Sequence, residues 1–325
     1  MRLLAELGLA GPGEACEMRP LTGGVASDVV RVDVSGKSYC IKFALEKLKV
    51  AADWRAPVRR SAAEYAWLSY ASRIAPDSAP RLYGFSAAEN GFVMEFIDGP
   101  DTFLWKDVLL HGTPEAAAAG TVGSLLGRLH AGSTGKDFDS TGLDNRQDFA
   151  ALRLDPYIRF TATCHPDVAR RLREVADALH AARITLIHGD VSPKNILFRA
   201  GSPILLDAEC ATMGDPGFDV AFCLNHLVLK SVHRPQHRSD LLGMVRGFWV
   251  AYARHVTWEP VSDLEARVAG LLPILMLARV DGKSPVEYLT EPERDLVRDR
   301  ALVLIRGGCH DIEEVVAAVG GETHQ

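Results

Sequence analysis

One stretch of the chain, residues 186–198, constrains its fold and chemistry more than any other. It reads LIHGDVSPKNILF, a compact polar loop between two apolar runs. Asp190 and Asn195 stand five positions apart, a spacing that can aim one side chain at a hydroxyl group and the other at a metal ion. A further apolar run then ends in the carboxylates of Asp207 and Glu209. We therefore predict that the loop and this strand end together form one site for magnesium and phosphate.

The pattern H-x-D-x-x-x-x-N, the later aspartate and the segment Gly214–Asp219 (GDPGFD) resemble the aminoglycoside phosphotransferase and choline kinase superfamily. Those enzymes share the bilobal fold of protein kinases and phosphorylate small molecules. Where they usually have glycine, this chain has Glu209, and the resulting Asp-x-Glu is similar to methylthioribose kinase. The resemblance implies that Asp190 is the catalytic base or orients the hydroxyl group. It also implies that Asn195 and Asp207 bind magnesium, with Glu209 as a further metal ligand or a substrate contact.

The composition of the chain limits its size, its binding partners and its cellular compartment. The chain has 325 residues, enough for two lobes, and its net charge of −6 gives no push toward nucleic acid or anionic membranes. The six cysteines are scattered without a C-x-x-C pair, a pattern typical of a reducing compartment. No signal peptide is visible, and the most apolar run, residues 268–277, is too short to span a bilayer. We predict a cytoplasmic protein that binds neither nucleic acid nor membrane, and the sequence leaves its oligomeric state open.

The N-terminal part of the chain has the pattern of a small antiparallel sheet with one main helix, after a short helix and a turn within residues 1–20. Gly23 and Gly24 precede an alternating strand near Ser27, similar to the short glycine loop by which small-molecule kinases approach nucleotide phosphates. Lys42 ends the next strand, where a kinase places its phosphate-contacting lysine, and Glu64 on the predicted helix could pair with it. The basic residues from Lys47 to Arg60 are predicted to be solvated.

We place a lobe boundary at residues 97–100, where Asp-Gly-Pro ends a strand. Residues 1–97 are then the nucleotide-binding N-lobe, and residues 98–325 are the catalytic and acceptor-binding C-lobe. By resemblance, the backbone from Glu95 to Ile97 would hydrogen-bond the adenine base. The predicted fold class is α+β, a bilobal protein-kinase-like fold with a small antiparallel β N-lobe containing one helix and a larger, mainly helical C-lobe.

The remainder of the chain reads mainly as helices. Apolar residues recur at helical spacing in residues 114–133, 166–181, 238–256, 262–280, 291–306 and 310–319. Leu152–Tyr157 reads as a break before a further helix. Asp219 is predicted to accept backbone hydrogen bonds from the catalytic loop, and His130 to be a packed histidine without a catalytic role.

The acceptor is predicted to be a small molecule. Only residues 210–213 separate Glu209 from Gly214, which leaves no room for the long segment on which protein kinases bind protein substrates. Arg279 closes an otherwise apolar helix face, and methylthioribose kinase similarly has an arginine-containing segment near its substrate. We therefore predict that Arg279 and His226 contact the acceptor, and that Lys194 helps to neutralise the transferring charge.

Together these features predict an ATP- and magnesium-dependent kinase of a small hydroxylated molecule. One alternative is antibiotic inactivation, but polycationic aminoglycosides favour an acidic pocket. The candidate acceptor-side residues are instead largely basic: Arg153, His226, Lys230, Arg279 and Lys283. That favours a neutral or anionic metabolite, such as a sugar derivative.

The other alternative is an inactive nucleotide-binding scaffold. Such a scaffold would be expected to have lost at least one member of the catalytic set. All four members are present: Lys42, Asp190, Asn195 and Asp207.

Overall fold

The computed structural model describes residues 2–11, 14–21, 27–45, 58 and 60–321. Its N-terminal region is an antiparallel sheet in the order β1-β2-β3-β5-β4 with two helices. The strands are β1 (Cys16–Leu21), β2 (Ser27–Val34), β3 (Lys37–Ala44), β4 (Leu82–Ser86) and β5 (Gly91–Glu95). The helices are the short α1 (Arg2–Glu6) and α2 (Arg60–Ile74).

The alternation of β3 sets the position of Lys42. A two-residue turn joins β2 to β3, and both Ser35 and Gly36 have positive φ angles, which matches the twist of the hairpin. Tyr39 and Ile41 point to one face of the sheet and pack with α1. Cys40 points to the opposite face, toward α2, and Lys42 shares that face because side chains alternate along a strand.

The C-terminal region is mainly helical. Its helices are α3 (Trp105–His111), α4 (Ala116–Gly132), α5 (Arg146–Phe149), α6 (Phe160–Cys164), α7 (Ala169–Ala181), α8 (Pro216–His233), α9 (Arg238–Ala253), α10 (Val261–Asp281), α11 (Glu291–Gly307) and α12 (Ile312–Gly320). Short strands β6 (Thr102–Leu104), β8 (Ile196–Arg199) and β9 (Ser202–Leu205) form one small sheet, and β7 (Thr185–Ile187) pairs with β10 (Thr212–Gly214). Both small sheets frame the catalytic loop.

Helix α8 is the centre of this region. Asp215 caps its N-terminus, because the carboxylate accepts a 2.8 Å hydrogen bond from the Gly217 amide, and Pro216 occupies the first helical position. Almost every residue of α8 is buried, with α9, α10 and α11 packed around it. A polar side chain on α8 is therefore enclosed by protein on most sides.

The predicted fold class is confirmed, with an antiparallel sheet first and helices after it. The proposed lobe boundary at residues 97–100 falls between the end of β5 and the start of β6. Within the described part of the chain, no helix combines the length and the apolar character needed to cross a membrane.

Two predictions of local structure are wrong. The strand β1 was not predicted, because four of its six residues are exposed and it carries no apolar alternation. Leu152–Tyr157 is not a break, since a π-helix over Ala150–Arg159 joins α5 to α6. The wider π-turn accommodates Pro156, which lacks an amide hydrogen, without ending the helix.

Candidate active site

The loop after β7 depends on a glycine and on an aspartate from α8. Gly189 has φ +79°, and a Cβ added there would lie 2.7 Å from the Cβ of Cys210. The Asp219 carboxylate accepts hydrogen bonds from the amides of His188 and Gly189, at 2.6 and 2.8 Å. The predicted role of Asp219 is thus confirmed, since its carboxylate holds the loop backbone through these two hydrogen bonds.

Two buried histidines complete this framework. His130 lies between Asp219 and Tyr252, at 3.2 and 2.8 Å, which confirms that it is a packed residue. Nδ1 of His188 accepts the Asp190 amide at 3.1 Å, so its Nε2 carries the proton and donates to the Leu206 carbonyl at 3.1 Å. Burial lowers the pKa of His188, which favours this neutral tautomer.

Asp190 offers one carboxylate oxygen to a ligand. Its Oδ2 is contacted by Asn195 Nδ2 at 2.8 Å, Arg153 Nη2 at 2.8 Å and Lys194 Nζ at 3.2 Å. Its Oδ1 has no hydrogen-bond partner among the described residues. Burial opposes ionisation of Asp190, but the charges of Arg153 and Lys194 outweigh it and lower the pKa. A carboxylate with a lowered pKa is a weak base, which suits it to orient a hydroxyl group.

Arg153 was expected on the acceptor side but not as a partner of Asp190. Its Nε also donates to the Gly189 carbonyl at 2.8 Å, so it binds both the backbone and the side chain of the loop. Arg153 reaches the loop from the π-helix. No sequence signal indicated the contact between Arg153 and Asp190, because the register of that helix depends on the π-turn.

Lys42 lies among three carboxylates. Its Nζ is 2.6 Å from Glu64 Oε2, without the alignment of a hydrogen bond, 3.1 Å from Glu209 Oε1, and hydrogen-bonded to Asp207. The predicted pairing of Lys42 with Glu64 is confirmed. Burial opposes the charge of Lys42, but these carboxylates outweigh it and raise the pKa well above its usual value. Asp207 has φ +68°, and its amide donates to Glu64 Oε1 at 3.2 Å.

Glu209 connects three parts of the chain. Its Oε2 accepts a 2.8 Å hydrogen bond from Arg60 Nε at the start of α2, and its Oε1 accepts one from the hydroxyl of Ser27 at the start of β2. The prediction that Arg60 is solvated is wrong, since its side chain is fully buried. The reason is this pairing across 149 positions, which no local pattern reveals.

The donor set fits a divalent metal ion. Carboxylate oxygens of Glu64, Asp207 and Glu209 lie within 4.8 Å of one another, and hard cations prefer such oxygen ligands. Asn195 turns its Nδ2 toward Asp190, at 2.8 Å from Oδ2, which leaves its Oδ1 for a cation. Asp207, whose side chain is one-third exposed, would be reached most readily.

Replacing Glu209 with glutamine should raise the apparent magnesium requirement and the KM for ATP by about tenfold, the usual scale for disturbing a metal site's supporting groups. The amide can still accept from Ser27 but loses the charge that holds Arg60 and Lys42. Initial rates at varied magnesium, ATP and acceptor would measure this. A change confined to the acceptor KM would place Glu209 in the acceptor site instead.

The other predicted nucleotide contacts have mixed outcomes. Gly23 and Gly24 lie outside the described residues. Ser27 is buried against Glu209, as described above. The Glu95 side chain pairs with Arg199 at 2.9 Å, and the Ile97 amide, just beyond β5, makes no hydrogen bond within the described ranges. An adenine base could use that amide.

The predicted acceptor residues are brought together. His226 is on α8 and Arg279 near the end of α10, both buried, and the charge of Arg279 is among those that lower the pKa of His226. Lys230 lies one turn beyond His226 and is also buried. Lys283 is exposed and stands apart, with its Nζ 5.3 Å from the centre of the Phe160 ring.

Comparison with solved structures supports this fold. The chain resembles an ethanolamine kinase from Plasmodium vivax with a TM-score of 0.57 and 16% identity, covering 93% of this chain and 86% of that one. It resembles a choline kinase from Cryptosporidium parvum with a TM-score of 0.55 and 13% identity, covering 94% and 92%. An amicoumacin kinase solved with AMP-PNP and Ca²⁺ gives a TM-score of 0.54 and 16% identity, covering 89% and 88%.

No curated protein matches this chain in sequence. The model of the phosphotransferase enzyme family matches residues 17–241, a span that runs from β1 to the start of α9 and includes Lys42, Asp190, Asn195 and Asp207. The chain therefore belongs to the phosphotransferase enzyme family, and its fold resembles that of the small-molecule kinases above.

Proposed function

We propose that this protein transfers the γ-phosphoryl group of ATP to a hydroxyl group of a small metabolite, with magnesium as the metal ion. One observation carries the proposal. The open oxygen of Asp190, the amide of Asn195, the carboxylate of Asp207 and the amine of Lys42 converge on one site. Asp190 and Lys42 lie 148 positions apart in the sequence, so their convergence is a property of the fold.

Asp190 and Lys194 have different roles in the proposed transfer. Asp190 Oδ1 accepts the hydroxyl group of the acceptor and directs its oxygen at the phosphorus atom. The P–O bond to ADP breaks as the new P–O bond forms, and the hydroxyl proton passes to Asp190 or to solvent. Lys194, whose side chain is 48% exposed beside Asp190, neutralises charge on the transferring group. Positioning and charge neutralisation supply most of the rate, because phosphoryl transfer needs little covalent help.

Asp207, Asn195 and Glu209 would hold the magnesium ion. When bound, it would supply positive charge next to the phosphate oxygens. Lys42 would exchange part of its contact with the carboxylates for a contact with the nucleotide's phosphates. Glu64, buried behind it, keeps the amine in place during that exchange.

The two alternatives are less well supported. The described structure offers an intact catalytic set, which argues against an inactive scaffold. One protein with this fold is an amicoumacin kinase solved in complex with AMP-PNP, Ca²⁺ and Ami. The charges of the buried Lys230 and Arg279 nevertheless disfavour a polycationic substrate.

A screen of sugars, sugar acids, sugar phosphates, nucleoside breakdown products and aminoglycosides for ADP release would test the proposal. We expect at least one acceptor to be phosphorylated with kcat in the usual range of about 1–100 s⁻¹ for kinases. Chelating divalent ions should abolish this activity. The proposal would be contradicted if the folded protein consumed no ATP with any compound in the panel at any magnesium concentration.

A further inference from the structure

Helix α8 carries a buried lysine and a buried histidine that have no carboxylate partner among the described residues. Lys230 is 1% exposed, and its Nζ lies 4.9 Å from the centre of the Tyr288 ring without a hydrogen bond or ion pair among the described residues. His226, one turn earlier, packs edge-on against Phe222, and its ring nitrogens make no hydrogen bond in the described part of the chain. Burying a charge without a partner costs folding free energy, so such groups often mark a binding site.

Arg279 adds a permanent charge to this place. Its Nη1 donates to the Ser284 carbonyl, to the Ser284 hydroxyl at 3.1 Å and to the Tyr157 hydroxyl at 3.3 Å, all of them neutral acceptors. Its Nε is buried with no hydrogen-bond partner, and so is the hydroxyl of Tyr288. The guanidinium group therefore keeps a donor for a ligand.

The charges of Lys230 and Arg279 alter the pKa values within this cluster. Burial and then the charge of Lys230 lower the pKa of His226 well below its usual value, with further contributions from Arg279 and Lys194. Burial, Lys106 and Arg279 lower the pKa of Lys230 to about 7. The carboxylate of Glu287 opposes that shift, but its side chain is 65% exposed and its Oε1 is engaged by Lys106 at 2.5 Å.

Lys194 joins this cluster to the catalytic loop. Its Nζ is 3.2 Å from Asp190, and its charge also reaches His226. Helix α3, which carries Lys106, packs against the Pro193–Asn195 turn of the same loop. An acceptor with its hydroxyl group at Asp190 would thus extend its far end toward the cluster.

We propose that Lys230, Arg279 and His226 form an anion-binding subsite, so that the acceptor is a hydroxylated carboxylate or a hydroxylated phosphate ester. The inference rests on the proposed function, because it assigns the far end of the same acceptor site. Both anions accept hydrogen bonds from lysine and arginine, and both would supply the negative charge that the described cluster lacks. The same charges would repel a polycation.

Matched acceptors test this inference directly. Gluconate and glucose 6-phosphate should be compared with glucose, and glycerate and glycerol 3-phosphate with glycerol, with kanamycin and choline as cationic probes. We expect kcat/KM to be higher by about tenfold or more for the anionic member of a pair, because a site built for a charged group discriminates strongly against its absence. The carboxylate and phosphate arms show which anion is preferred.

Lys230→Met separates a binding role from a structural one. The variant keeps the length of the side chain but loses the charge, so kcat/KM for the anionic acceptor should fall by about tenfold or more. Its Tm at pH 7 should equal or exceed that of wild type, since an unpaired buried charge is removed. Lys136→Met is the matched control in an exposed turn, with rates expected within about twofold of wild type.

The pH dependence gives a further readout of Lys230. Below pH 7 the free protein holds the amine protonated, and above it the amine is neutral and attracts anions less. The kcat/KM for an anionic acceptor should therefore fall about tenfold per pH unit above 7, and Lys230→Met should abolish this dependence. Calorimetry in two buffers should show proton uptake when inorganic phosphate or glycerate binds above pH 7.

The inference is wrong if kcat/KM for a neutral acceptor equals that for its anionic partner. It is also wrong if Lys230→Met lowers kcat/KM for neutral and anionic acceptors by the same factor. It is also wrong if none of the anionic probes, inorganic phosphate included, binds to the protein in the presence of MgADP. Asp190-dependent phosphorylation of a neutral acceptor would in each case leave the proposed function standing. Absence of both anion binding and ATP use would reject the two proposals together.

Discussion

Replacing Asp190 with asparagine is expected to lower kcat by about a hundredfold or more and to leave the affinity for MgATP nearly unchanged. The amide keeps the shape of the carboxylate but removes the charge that orients the acceptor hydroxyl. The side-chain contacts of Asp190 are with Arg153, Lys194 and Asn195. Among the described residues it does not pair with Lys42, the proposed phosphate contact, so the nucleotide contacts should persist. Steady-state rates and nucleotide titrations would separate the two effects.

The control for this variant is Asp137→Asn, the same change at an exposed position. Circular dichroism should show that both variants are folded. Turnover by Asp190→Asn at the wild-type rate would remove Asp190 from the proposed mechanism.

Replacing Asp207 with alanine should have the second large effect, a loss of activity on the order of a thousandfold. Asp207 is the most exposed of the three clustered carboxylates, and its loss removes the main proposed metal ligand. The variant should still fold, because Lys42 keeps Glu64 at 2.6 Å and Glu209 at 3.1 Å as partners. Calorimetric titration with AMP-PNP should show that magnesium no longer strengthens binding.

A matched control is Asp177→Ala, which removes an exposed carboxylate whose partner is Arg159. Its activity and its magnesium dependence should equal those of wild type. Magnesium-dependent nucleotide binding that survives in Asp207→Ala would place the metal ligands elsewhere.

The elements with strong local patterns were predictable from sequence. The helices α9 to α12 begin and end within a few residues of their predicted bounds, because apolar residues recur along each at helical spacing. Asp190 and Asn195 could be assigned to one loop because their spacing is short. The pairing of Lys42 with Glu64 followed from a strand end and a helix that the superfamily resemblance placed together.

Contacts that form only in the tertiary structure could not be predicted from local sequence patterns. Arg60 begins a helix next to a basic stretch, and only the tertiary structure buries it against Glu209. Arg153 contacts Asp190 because a π-turn continues the helix past Pro156. Each arginine pairs with a carboxylate of the site, although nothing in their local sequence distinguishes them from surface residues.

Phosphorus NMR of a reaction containing ATP, magnesium and an acceptor from the screen tests the central claim most directly. The proposal predicts that the γ-phosphate signal of ATP is replaced by equal amounts of ADP and one phosphomonoester, and that Asp190→Asn slows this conversion by about a hundredfold. Formation of pyrophosphate with an adenylylated product, or no ATP consumption with any acceptor in the panel, would contradict it.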